Sequence, residues 1–190
     1  QLAEERDDEW SMIKLAYIEM DRGNSEERLK WIQKALEKEY IDAYFELGFF
    51  YQFDEAYKDL EKAQQSYYQA AQLGNPDGMN GLALIYYNMP DYKGDEQAFR
   101  WFSKSADLGD SFGLYYLAVM YENGFGTYSN KQKAWDLYLA SADQKFSPAY
   151  RKIAQLIEEG EAPASFTGRE LEYYIKAAER NDIDAIHDVI

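Results

Sequence analysis

Few residues in this chain of 190 are of a type that could do chemistry. A Ser/His/Asp hydrolase needs an imidazole base, and the single histidine, His187, stands within four residues of the C-terminus. As a metal ligand it could join only Asp184 and Asp188. Both carboxylates flank one imidazole and there is no second histidine, so the group reads as a solvated chain end. Cysteine is absent, which removes disulfides, thiolate zinc sites, iron–sulfur clusters and thiol nucleophiles together. Gly124-Phe125-Gly126 is too short and too aromatic to cradle a phosphate, and no strand precedes it. Glu158-Glu159 and the run Glu4, Glu5, Asp7, Asp8, Glu9 read as solvated faces, because neighbouring residues on a helix point about 100° apart. The expectation is a protein that is not an enzyme and carries no catalytic residue, metal or cofactor.

The elements that would position any site are repeated. A small pair followed by a turn recurs as Ala70-Ala71, Ser105-Ala106, Ser141-Ala142 and Ala177-Ala178, with the second members spaced 35, 36 and 36 apart. Leu36 lies another 35 upstream. In phase with these run Leu47-Gly48, Leu82-Ala83, Leu117-Ala118 and Ile153-Ala154, trailed by Tyr51, Tyr86, Tyr121 and Ile157. Each period reads as two helices. The first carries large apolar residues such as Tyr44, Leu47 and Tyr51; the second carries Ala63, Tyr67, Ala70 and Ala71 at helical spacing. Gly74, Gly109, Gly124, Gly126 and Gly160 fall between helices, Pro90 marks an inter-helix loop, and Pro76 and Pro148 open first helices, where a missing N–H costs least. The units drawn from this are 8–41, 42–75, 76–110, 111–146 and 147–183, with 184–190 starting a further unit or cap. No unit could bury its apolar face alone, so 1–190 is expected to be a single all-α solenoid domain without linkers.

Tyr121-Glu122-Asn123-Gly124-Phe125-Gly126, followed by Lys133-Ala134 and by Tyr138 through Ala142, resembles a Sel1-like repeat, a relative of the tetratricopeptide repeat with a longer inter-helix loop. The resemblance covers about residues 42–183 through its period. The second unit departs with Gln52-Phe53-Asp54-Glu55 where a glycine-rich loop is usual, and the third with Asn88-Met89-Pro90. The resemblance implies a right-handed superhelix of about five helix pairs that acts as an interaction scaffold without chemistry of its own. Many bacterial members are exported, and this chain opens on Gln1, which reads as a processed product. The compartment is either periplasmic or secreted, or cytoplasmic.

Charge narrows the partners. Lys and Arg number 20 against 35 Asp and Glu, a net charge of −15 and a pI near 4.5, which repels phosphate backbones and anionic lipids. On each first helix the side opposite the packing face should be polar, yet it holds Ile13, Tyr17 and Met20, then Phe45, Phe49 and Gln52. Asn80, Leu84 and Tyr87 follow, then Phe112, Tyr115, Val119 and Glu122, before the stripe turns polar at Arg151, Gln155 and Glu158. If first helices line a concave side, these join into an acidic, aromatic groove for a protein partner bearing a basic patch. Burial of the same residues by tight curvature is the competing expectation. The narrower alternative is an immunity protein that occludes a secreted toxin's active site. A glycan or other small ligand suits the groove less well than a protein.

Overall fold

A computed structural model describes residues 9–89 and 92–180. Pro90, His187 with Asp184 and Asp188, the acids Glu4, Glu5, Asp7 and Asp8, and the expected start of a further unit lie outside the described residues. Within them the chain forms ten α-helices, a 3-10 turn at Ala164–Phe166 and no strand. The helices are α1 (Glu9–Asp21), α2 (Ser25–Glu37), α3 (Asp42–Phe53), α4 (Leu60–Gln72), α5 (Pro76–Tyr87), α6 (Tyr92–Asp107), α7 (Ser111–Asn123), α8 (Lys131–Asp143), α9 (Ser147–Glu158) and α10 (Glu170–Ala178).

Local chemistry sets their ends. Asn24, Asp59, Asp110 and Asn130 each stand just before a helix and accept a hydrogen bond from the N–H three residues on, as a cap must if the first-turn donors are not to go unpaired. Gly124 closes α7 at φ 75°, a left-handed turn that a side chain would strain, and donates its N–H to the Met120 carbonyl at 2.8 Å.

The chain divides into two compact units at Ile85/Tyr86. In the first, α1 packs on α2, α2 on α3 and α3 on α4. Ala16, Ile32 and Phe50 form one core cluster, flanked by Leu47 and Tyr51; Met12, Ile13, Ala35 and Ala43 form another. In the second unit α6 packs on α7, α7 on α8, α8 on α9 and α9 on α10, around a core that includes Trp135, Tyr138, Ile153 and Tyr173. Phe166 of the 3-10 turn meets the Trp135 ring edge-on at 4.9 Å.

Small residues decide how closely helices approach. A Cβ built on Gly78 would lie 2.3 Å from that of Ala70, and one built on Gly113 would lie 2.6 Å from the Ser105 hydroxyl. The ring of Tyr67 fills the gap between two glycines: a Cβ on Gly48 or on Gly81 would come within 2.5 or 2.7 Å of it. The small partner beside Leu47 therefore makes room for an aromatic ring of the paired helix.

That tyrosine belongs to a recurring tie. The Tyr67 hydroxyl donates to Gln52 at 2.8 Å, Tyr138 to Glu122 at 2.6 Å and Tyr174 to Glu158 at 3.0 Å, each bond running from the second helix of a pair to the last turn of the first. Phe102 takes this place on α6 and has no hydroxyl to give; it stacks on Tyr116 instead, centroids 5.0 Å apart.

Candidate functional site

In the first unit the outward stripe is built mainly by α3. Phe45, Phe49 and Phe53 recur every fourth residue and stand ring to ring, 6.4 Å and then 4.7 Å between centroids. Phe45 also leans on Tyr67 at 5.8 Å. Exposure grows along the ridge: Phe45 and Phe49 are half-buried, whereas Phe53 is 58% exposed. From α1, Tyr17 and Met20 add surface at 42% and 39% exposure, and the Tyr17 hydroxyl donates to Glu46 of α3. Leu84 is half-buried.

Two residues expected on this stripe lie inside. Ile13 is buried in the cluster with Met12, Ala35 and Ala43, because α1 turns it toward α2 and α3. Asn80 is 5% exposed on the inner side of α5. Neither offers a partner surface.

The second unit uses its stripe differently. Tyr87 is half-buried and meets Tyr116 and Phe125 edge-on, both at 6.1 Å. Phe112 packs against Tyr116, Phe102 and Phe146, and Tyr115 against Tyr138 and Phe146. Val119 packs on the core and Arg151 is half-buried. Glu122, expected to edge a groove, accepts from Tyr138 and from Lys152, whose ammonium stands 2.8 Å away. Its carboxylate is engaged within the unit, so here ring packing and pairing take up much of the stripe.

Burial raises the pKa of Tyr87, Tyr115 and Tyr116 above the ordinary phenol range. It does the same for Tyr17 and Tyr138, with the carboxylates of Glu46 and Glu122 adding to the effect. Glu46 itself is pushed up by desolvation, despite the opposing hydrogen bond from Tyr17 and the charge of Arg28.

Sequence reasoning missed three of the residues that define the first unit's face. In sequence Phe53 falls in the atypical segment 52–55, although it continues the Phe45, Phe49 spacing. Arg28 and Glu46 carry no local signal; only lining up the repeats shows charge where the next two units have Ala, Gly or Tyr. Among the described residues no cluster of His, Cys, Asp and Glu is placed to hold a metal, and no helix is long and apolar enough to cross a membrane.

The Sel1 repeat model matches residues 41–75, 76–110, 111–146 and 171–182. Solved structures with similar folds include a protective antigen of uropathogenic Escherichia coli that displays an SLR fold, 27% identical with a TM-score of 0.73. That match covers 98% of this chain and 41% of the antigen, so the present chain spans under half of that protein's length. A Sel1 repeat protein from Oxalobacter formigenes is 22% identical with a TM-score of 0.78, over 95% of this chain and 76% of its own. An immunity protein from Pseudomonas aeruginosa is 19% identical with a TM-score of 0.61, over 83% of this chain and 59% of its own. No curated protein matches the sequence. With ten helices and no strand among the described residues, the fold is an α-solenoid of about five helix pairs.

Proposed function

The chain belongs to the Sel1 repeat family, and from that premise we propose that it is a non-enzymatic scaffold that holds a protein partner against the aromatic ridge of α3 and the neighbouring Tyr17 and Met20. Sel1 repeat proteins generally mediate protein–protein interaction and are generally non-catalytic. The observation that carries the finer reading is Phe53: a large aromatic, 58% exposed, that continues a packed row of rings to the end of its helix. Supported on one side and open on the other, such a ring offers contact area with little freedom left to lose. The net charge of −15 would steer a partner with a basic patch and speed encounter.

A photo-reactive phenylalanine at position 53 tests this. It should cross-link a partner that the same probe at Gln69, on the face of α4 turned to solvent, does not. Phe53→Ala should weaken capture at least about tenfold, the size of an interface anchor, with the melting curve nearly unchanged. Equal cross-linking from both positions would refute the assignment. The acidity also supports a narrower version, neutralisation of a basic toxin enzyme; that version requires stoichiometric inhibition of the toxin, relieved by Phe53→Ala.

A further inference from the structure

The second helices carry a position that is alanine in three of them, charged in α2 and again, at Glu170, in α10. Ala63, Ala98 and Ala134, at matching places in α4, α6 and α8, are all buried; one period earlier α2 has Arg28, also buried, at 4% exposure. Its guanidinium lies 5.6 Å from the Phe49 ring centroid and 5.4 Å from that of Phe50. The aromatic faces stabilise the charge but accept no ordinary hydrogen bond. Nε and Nη2 are sealed from solvent and find no acceptor. These two nitrogens form the side edge of the guanidinium, the edge that binds both oxygens of a carboxylate at once. Glu46, the buried acid whose charge reaches Arg28, makes no ion pair with it and accepts from Tyr17 instead. A buried charged donor without an acceptor is costly, so an added carboxylate at this edge would be bound favourably.

We propose that the Nε/Nη2 edge of Arg28 is a carboxylate-binding site on the first unit, and that the partner inserts an acidic side chain or a C-terminal carboxylate between Tyr17 and Phe49. This deepens the proposed function by naming one chemical group of the partner and rests on that reading. It gives the acidic surface a single cationic socket: the general field attracts a basic partner, while Arg28 selects one that also carries an acid at the right place. Tyr17 is the part that must move, since it is the most exposed residue of the group and is held by one hydrogen bond to Glu46.

The test uses the purified chain with propionate, which is the glutamate side chain without its backbone, and propionamide, its uncharged isostere. At matched ionic strength the Nε–H resonance of Arg28, identified by its loss in Arg28→Ala, is followed by proton–nitrogen NMR. Propionate should shift it saturably, and propionamide should give a response about ten times weaker or none, as expected for a charge-assisted pair. The thermal midpoint of the wild type should rise with propionate, and that of Arg28→Ala, which carries the residue found in α4, α6 and α8, should not. An unmoved resonance, an equal response to both probes, or an equal rise in Arg28→Ala would each overturn the site. Phe53→Ala should leave the propionate response intact. A silent Arg28 beside a Phe53→Ala variant that loses its partner would thus remove this inference alone.

Discussion

Substituting Gly48 by Ala sets two effects against each other, and the structure says which wins. In mid-helix, Ala is favoured over Gly by about 1 kcal/mol, so in open space the change would stabilise. Here the new methyl would lie 2.5, 2.7 and 2.9 Å from three carbons of the Tyr67 ring, about 1 Å inside ordinary contact. The ring has no retreat, because on its other side a Cβ at Gly81 would already come within 2.7 Å. Overpacking of this kind costs about 1–3 kcal/mol, so Gly48→Ala should destabilise by about 1 kcal/mol net and lower the melting temperature by about 2–4 °C. Removing the ring reverses the sign. In a Tyr67→Ala background, itself about 3–5 kcal/mol less stable, Gly48→Ala should gain about 1 kcal/mol. The coupling between the two changes is then about 2 kcal/mol, read from urea unfolding of the four proteins followed by circular dichroism. If Gly48→Ala has the same effect in both backgrounds, the ring is not what requires glycine and the account of this contact is wrong.

Two further outcomes follow from the tyrosine ties. Tyr138→Phe keeps the ring but removes the donor to Glu122, and should cost about 1.5–3 kcal/mol because the acceptor is charged; Tyr67→Phe, which deserts the neutral Gln52, should cost about 1 kcal/mol in the same urea assay. The buried phenols of Tyr67 and Tyr138 have folded pKa values raised above their unfolded value near 10, so the fold favours their neutral form. Their contribution is fully present below pH 10 and is lost above it by about 1.4 kcal/mol per pH unit for each group. In an alkaline titration Tyr67 and Tyr138 should ionise only as helicity collapses; ionisation of all tyrosines before any loss of helicity would contradict their burial.

Periodicity made the helix pairs readable, because the small pairs and the Leu-small markers are the residues through which helices touch, and touching constrains size. The outward stripe was less readable for a related reason. Phe45 and Tyr115 occupy equivalent places and look alike in sequence, yet Phe45 leads through Phe49 to the exposed Phe53 while Tyr115 is enclosed by Tyr138 and Phe146. What separates them is the next pair's contribution: Phe146 arrives from outside the period of the stripe. Ile13 is drawn inward by packing that its own spacing does not show, against Ala35 of α2 and Ala43 of α3. Glu122 reads as solvated because a carboxylate at a helix end usually is; its pairing with the Tyr138 hydroxyl and the Lys152 ammonium shows only in three dimensions.

The residue just before each marker Leu or Ile faces back to the preceding pair, and it is different every time: Glu46 near Arg28, Gly81 against Tyr67, Tyr116 stacked on Phe102, Lys152 reaching Glu122. Modules that look like copies are therefore cut to fit one neighbour only. Shuffling them, duplicating one, or grafting one into a related array would set a tyrosine or a lysine against a ring that accepts nothing larger than hydrogen, so this lineage can drift in sequence far more freely than it can rearrange its order.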